Sequence, residues 1–186
     1  KNMTKPDLLI HTAFKLFYEQ GIHAVGINTI LNETGVAKKT LYHHFSSKEA
    51  LVEAVLKYRD HIFMDWLTSR MLAAGEGKAA VLAIFDALDD WFHNQVPELL
   101  PFKGCFFVKA NGEFSNHAVN ALCLRHKHNI TSFIQANLVN STSALHAAEL
   151  AQSISVLKEG AIAQAYVAGD LEAAKRAKAM AVALLG

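Results

Sequence analysis

Apolar residues recur at helical spacing along nearly the whole chain, and no stretch shows the sustained alternation of a half-buried strand. A first helix is predicted to begin after Thr4 and to end near Gly21, which suits a C-terminal cap. Its buried stripe follows the spacing i, i+3, i+4, i+7 and consists of Ile10, Ala13, Phe14 and Phe17. The pattern therefore predicts an all-α fold.

Two short helices are predicted next, over residues 27–34 and 38–44, with Gly35 in the turn between them. Leu41 and Phe45 are four residues apart and therefore share one face of the later helix. Short helix, tight turn and short helix form the helix-turn-helix arrangement. We expect an N-terminal three-helix domain with a core beneath Leu41 and Phe45.

Longer helices are predicted for the remainder of the chain. Ser46 and Glu49 have the spacing of a capping box, which predicts the start of a long fourth helix that reaches about residue 71. A fifth helix over about 78–95 is followed by a loop with a short helix. Three more helices are predicted, from a cap at Asn116 to about 138, over about 143–168, and over about 171–185 behind a cap at Asp170.

Composition narrows the class of protein without identifying it. The chain has 186 residues, 52% of them hydrophobic, which is enough for a substantial core. A net charge of +1 gives no overall attraction to a polyanion. Two cysteines do not make a disulfide framework in a chain of this length, which favours a reduced, cytoplasmic setting. Since the longest apolar run is Ala79–Phe85, no membrane span is expected.

The N-terminal residues give no sign of a targeting segment. They lack the apolar core of a signal peptide. The chain does not begin with methionine, which leaves room for N-terminal arm residues before Lys1.

The exposed face of the predicted third helix has the chemistry of a nucleic-acid contact. Residues 35–48 contain cations, hydroxyls and imidazoles and no acidic side chain. Lysines neutralise phosphates, whereas threonine and tyrosine hydroxyls donate to phosphate or base edges. Exposed lysines alone are usually plain surface, so the prediction rests on their joint spacing. The candidate DNA-binding residues are Asn28, Thr29, Lys38, Lys39, Thr40, Tyr42, His43, His44 and Lys48.

The run from Gly21 to Leu51, with its core T-L-Y-H-H-F-S-S-K-E, resembles the DNA-binding domain of TetR-family transcriptional regulators. The resemblance implies a DNA-binding domain over 1–50 and a helical ligand-binding and dimerisation domain over 51–186. It also implies a homodimeric repressor that a small apolar or aromatic effector releases from a palindromic operator. By position, Thr40 and Tyr42 would contact phosphate and bases, and Lys48 would approach phosphate. The chain departs from the family pattern at Val25 to Thr29.

An aromatic-rich C-terminal half is the predicted location of the effector pocket. Aromatic residues at helical spacing are more often plain core, and that alternative stays open. With the resemblance, the pocket candidates are Phe63, Trp66, Phe85, Leu88, Phe92, Cys105, Phe106, Cys123, His126 and Phe133. A ligand beneath the fourth helix would then change the separation of two recognition helices by population shift.

The last two helices are rich in alanine, which allows close helix approach between subunits. An intramolecular core is the alternative. The candidate interface residues are Leu145, Ile154, Leu157, Ala161, Leu171, Ala174 and Leu184.

Other classes of function have less support in the sequence. His126 and His128 are two residues apart and face away from each other on a helix, so no metal site is expected. No catalytic motif or cofactor-binding loop is recognisable, and neither an enzyme nor a cofactor is predicted. Two alternatives remain: a helical ligand-binding or enzymatic protein with a vestigial helix-turn-helix, and a pure helical interaction module.

Overall fold

The computed structural model describes residues 3–114 and 117–186, and these residues form nine α-helices, one 3-10 turn and no strand. The all-α prediction is confirmed. The helices are α1 Lys5–Gln20, α2 Ile27–Thr34, α3 Lys38–His44, α4 Lys48–Ala74, α5 Gly77–Phe92, α6 Phe106–Glu113, α7 His117–Leu138, α8 Ala144–Ala168 and α9 Ala173–Leu185, with the 3-10 turn at Pro97–Leu99.

The first three helices begin and end where the sequence signals predict. Thr4 caps α1, because its side chain accepts a hydrogen bond from the Asp7 N–H. Gly21 ends α1 with a positive φ of 94°. The bounds of α2 and α3 coincide with the predicted 27–34 and 38–44.

The cap of α4 is Ser47 rather than the predicted Ser46. The Ser47 Oγ accepts from the Ala50 N–H at 3.1 Å, three residues ahead, which is the geometry of an N-cap. A capping box from Ser46 would require the helix to begin one residue earlier than Lys48.

Two other predicted boundaries need correction, and one lies outside the described residues. The Asp170 carboxylate pairs with Arg176, and α9 begins at Ala173 behind Glu172, so Asp170 is not the cap. Helix α5 ends at Phe92, three residues before the predicted end. The predicted cap at Asn116 falls on a residue that the structure does not describe.

The chain divides into two compact units. Unit 1 comprises residues up to 61 together with 106–125, and unit 2 comprises 62–105 with 126–186. This division by packing is discontinuous, because α6 and the first part of α7 belong with the N-terminal helices. The boundary after residue 50 that the sequence predicts is a functional division, and it stays a prediction.

The core of unit 1 joins α1, α2 and α3 to residues from α4 and α6. Fully buried side chains include Leu9, Ile30 and Leu41. The Phe106 ring stands edge-on to Phe14, with ring centroids 5.4 Å apart. Burial of this apolar surface stabilises the short helices α2 and α3, which would not persist alone.

Unit 2 has a separate hydrophobic core built from α5, α7, α8, α9 and the second half of α4. Small residues such as Ala147, Ala151 and Ala174 are fully buried and allow the helices to approach closely. Lys158 is an exception in this interior, since only 2% of its surface is exposed. A buried cation requires a specific electrostatic environment.

Candidate nucleic-acid interface and ligand cavity

The turn between α2 and α3 is held by glycine and threonine. Gly35 has a φ of 66°, which favours glycine, and its N–H donates to the Leu31 carbonyl at 2.9 Å. The Thr34 hydroxyl donates to the Ile30 carbonyl at 2.8 Å and accepts from the Val36 N–H at 3.3 Å. The carbonyl groups at the end of α2 that have no partner within the helix thus accept hydrogen bonds. These hydrogen bonds fix the direction in which α3 begins.

Helix α3 has one buried and one exposed face, as the spacing predicts. Leu41 is fully buried and Phe45 is 9% exposed, so these two side chains anchor the helix in unit 1. Tyr42 keeps 43% of its surface exposed. The other exposed candidates on this helix are Lys38, Lys39, His43 and His44, and Thr40 is half-buried. The structure therefore presents a polar, cationic face suited to phosphate and base edges.

The start of α2 contributes further polar groups. Asn28 and Thr29 are exposed, whereas Val25 is buried in unit 1. The departure from the family pattern thus leaves two hydrogen-bonding side chains at the surface.

Lys48 occupies a different environment from the lysines on α3. It is half-buried, and its Nζ lies 5.9 Å from the centroid of the Phe17 ring. Burial lowers the pKa of its ammonium group, and the nearby Glu113 and Glu49 carboxylates oppose that shift. A phosphate at this position would also favour the charged form.

Glu113 at the end of α6 is a residue that sequence reasoning missed. Its carboxylate accepts from the Ile22 N–H at 3.0 Å and from the His23 N–H at 2.6 Å. The His23 ring stacks on Phe114 with centroids 4.9 Å apart. Because the partners lie about ninety residues apart in the chain, no local motif signals this contact, which fixes the turn between α1 and α2.

Several of the predicted effector-site aromatics come together in unit 2. Phe63 contacts Trp66, Trp91 and His126, with ring centroids 5.2, 5.5 and 5.3 Å apart. Phe85, Leu88 and Phe92 are buried in the same core, and Phe133 is half-buried against it. Trp66 also lines a cavity of about 420 Å³ with Arg70 and Glu98.

Two of the predicted pocket residues belong to the other unit. Phe106 packs against Phe14 and Tyr18, and Cys123 is buried in the same unit 1. The sequence places both beside pocket candidates along the chain, but α6 and the first part of α7 pack with the N-terminal helices. Phe106 is therefore a core residue of unit 1.

A second cavity of unit 2, which we call the α7–α8 groove, has a volume of about 670 Å³. Its lining includes Lys127, Thr131, Ser155, Val156, Lys158 and Glu159. Lys127 Nζ lies 2.7 Å from Glu159 Oε1 and 3.3 Å from Cys105 Sγ. Lys158 Nζ donates to the same Glu159 oxygen.

The charges of this cluster shift the pKa values of its members. Burial disfavours the carboxylate of Glu159, but Lys158 and Lys127 outweigh it and lower the Glu159 pKa to about 2. Burial lowers the pKa of Lys158, and the positive charge of Lys127 adds to that effect. For Lys127, burial is outweighed by Cys105 and Glu159, so its pKa is raised.

Three predicted subunit contacts need correction. Ile154, Ala161 and Ala174 are already buried in the core of unit 2, so a partner could cover no further surface on them. Leu157 is half-buried against the same core. By contrast, the other predicted contacts, Leu145, Leu171 and Leu184, are exposed.

Neither a membrane-spanning helix nor a metal centre is present in the described part of the chain. No helix within residues 3–114 and 117–186 is long and apolar enough to cross a membrane. Over the same residues, no three His, Cys, Asp or Glu side chains are grouped to hold a metal ion.

Together, the fold and the exposed face of α3 define an all-helical protein with an N-terminal helix-turn-helix domain. The sequence profile described as bacterial regulatory proteins, tetR family, matches residues 9–55. On this match, residues 9–55 are assigned to the N-terminal domain that TetR-family proteins share.

Similar proteins support this assignment at two levels. The transcriptional repressor KstR2 of Mycolicibacterium smegmatis is 40% identical over 67 residues, which are 36% of this chain and 31% of that protein. The uncharacterised regulator YxaF of Bacillus subtilis is 47% identical over 51 residues, which are 26% of this chain and 27% of that protein. The match thus spans less than a third of either relative's length.

A solved structure extends the likeness to the whole fold. The TetR-family transcriptional regulator SCO4454 from Streptomyces coelicolor superposes with a TM-score of 0.81 at 27% sequence identity. The superposition covers 96% of this chain and 92% of that one.

Proposed function

We propose that this protein is a sequence-specific DNA-binding transcriptional regulator, a repressor that a small effector releases from a palindromic operator. The observation that carries the proposal is the face of α3, where lysines, Tyr42 and histidines are exposed above the buried Leu41 and Phe45. A short recognition helix in the major groove can read few bases, so a two-fold dimer on a palindrome is the expected arrangement.

The alternative of a helical enzyme with a vestigial helix-turn-helix is not favoured. KstR2 is named a transcriptional repressor, and SCO4454 a transcriptional regulator. The exposed cations of α3 also have a direct use in DNA binding. We therefore propose no enzymatic activity and no cofactor.

The DNA-binding proposal is tested by footprinting on DNA that flanks the protein's own gene. The wild-type protein should protect a palindromic site at low salt. Tyr42→Phe, which removes one exposed hydroxyl, should weaken binding by roughly tenfold to a hundredfold, as expected when one hydrogen bond to a charged group is removed. Tyr166→Phe removes the same group from an exposed tyrosine of unit 2 and should leave affinity unchanged. Absence of any protected site would contradict the proposal.

We also propose that the protein is a homodimer in which α8 and α9 contact the partner. Apolar side chains near both ends of α8 remain open to solvent: Leu145 is 74% exposed and Val167 82%. An exposed apolar stripe of this kind marks an interaction surface. Val167→Glu should give a monomer in sedimentation, whereas Val108→Glu, at an exposed valine of unit 1, should not. A monomeric wild-type protein would refute this part.

The effector is proposed to be a small molecule with an apolar or aromatic body that binds unit 2. The aromatic core around Phe63 and the cavities of about 670 and 420 Å³ support this proposal, since they fall within the usual size range of ligand pockets. A thermal-shift screen of apolar metabolites tests it, because a ligand that prefers the native state raises the melting temperature.

A further inference from the structure

The α7–α8 groove contains more buried positive than negative charge. Lys127 and Lys158 both donate to Glu159 Oε1, so one carboxylate oxygen serves two ammonium groups. Lys158 is 2% exposed. Both lysines line the groove together with that carboxylate. At low dielectric, a second anion beside these lysines would be favourable.

Cys105 is the other group that, with Glu159, raises the pKa of Lys127. Cys105 lies 3.3 Å from Lys127 through its sulfur atom. His128 also lines the groove.

The remaining surface of the groove is suited to the body of an organic molecule. Val156, Gly160 and Ala163 provide apolar walls along α8. The Thr131 and Ser155 hydroxyls are 2.8 Å apart and add a polar rim. A volume of about 670 Å³ accepts a small organic ligand with one charged group and one apolar part.

We propose that the α7–α8 groove binds a small organic acid, with the ligand carboxylate on Lys127 and Lys158 and its apolar body along Val156 and Ala163. Charge-assisted hydrogen bonds from two ammonium groups give such an acid its advantage over a neutral molecule of the same shape. The inference rests on the proposed function only in calling this acid an effector. Binding itself can be measured without DNA.

The groove opens on the side of α8 that carries the exposed Val156, and α8 is also one of the two helices of the proposed dimer interface. A helix of a second copy is therefore the competing occupant. The charge cluster favours the acid, because a second copy would need a carboxylate at this point to offset the two lysines.

The test is calorimetric titration of the full chain with 1-naphthoate and with 1-naphthamide, which has the same rings without the charge. We expect saturable binding of the naphthoate and at least tenfold weaker binding of the amide. Lys127→Met and Lys158→Met should each weaken naphthoate binding at least tenfold and leave the amide unchanged. Lys178→Met removes a partly exposed lysine that pairs with Asp86 elsewhere in unit 2, and it should behave as wild type.

Several outcomes would overturn the inference. Equal binding of naphthoate and naphthamide, or wild-type affinity in Lys127→Met, would show that the lysines do not recognise the charge. Loss of self-association in the lysine variants without loss of naphthoate binding would assign the groove to a second copy. If Lys158→Met does not fold, Lys127→Met decides the result, since Lys127 is partly exposed.

Failure here is distinguishable from failure of the proposed function. Operator binding without naphthoate binding would refute only the acid site. Naphthoate binding without operator binding would refute only the regulator.

Discussion

The recognition helix and the α7–α8 groove present charge in opposite ways. Helix α3 exposes its cations to solvent within seven consecutive residues, above two buried anchors. The groove buries Lys158 and pairs residues 32 positions apart, on α7 and α8. Exposed charges on one short helix follow from local spacing, whereas a buried cluster depends on how two long helices pack. A cationic helix face is therefore recognisable in sequence, and a buried charge cluster between two helices is not.

The largest expected effect tests the buried anchor of α3. Leu41→Ala should destabilise the protein by about 3 kcal/mol, because it leaves a cavity at a fully buried position. Denaturant unfolding followed by circular dichroism measures this loss. Leu72→Ala makes the same change at a leucine that is 61% exposed, and it should cost less than about 0.5 kcal/mol. Equal effects would mean that Leu41 is not an anchor.

The second effect tests the buried charge cluster. Glu159→Gln should destabilise the protein by about 2 kcal/mol at neutral pH, because it leaves Lys158 without a counter-charge. This value is below that of a fully buried pair, since a third of the Glu159 side chain is exposed.

The pH dependence of the same variant gives a sharper result. The pKa of Glu159 is lowered from 4.5 to about 2, so its contribution is complete above pH 4.5 and is lost as the pH falls toward 2. Melting temperatures of Glu159→Gln and wild type should therefore differ most near neutrality and converge in acid. A difference in melting temperature that does not change with pH would contradict the ion pair of Glu159 with its two lysines.

The smallest effect tests the start of α4. Ser47→Ala should cost about 1 kcal/mol, because it removes the hydroxyl that accepts from the Ala50 N–H. Ser46→Ala is the matched control and should change the unfolding free energy by less than about 0.5 kcal/mol. A larger loss of unfolding free energy for Ser46→Ala than for Ser47→Ala would instead support the capping box that the sequence predicts.

Most of the fold was predictable because its signals are local. Helices α2 and α3 begin and end at the predicted residues, since glycine and short apolar repeats mark them. The same reasoning failed by one residue at Ser47, where two serines are adjacent, and by two at α9, whose N-cap Glu172 makes no side-chain hydrogen bond. Boundaries of this kind depend on which of two neighbouring side chains meets the open N–H.

The parts that escaped prediction involve residues far apart in the chain. Glu113 accepts from the turn after α1, and Lys127 of α7 donates to Glu159 of the alanine-rich α8. Exposure could not be read from composition either, because Ile154 and Val156 are two residues apart and only Val156 is exposed. The packing of α8 against its neighbours decides which of these residues belongs to the core.

The central claim is that the lysines of α3 bind DNA phosphates, and the salt dependence of operator affinity tests it most directly. For Lys38→Gln/Lys39→Gln, the slope of log K against log salt should decrease by about 0.9 for each phosphate that the variant no longer neutralises, without a change in melting temperature. Lys57→Gln, at an exposed lysine of α4, is the control and should retain the wild-type slope. An unchanged slope in the double variant would contradict the account.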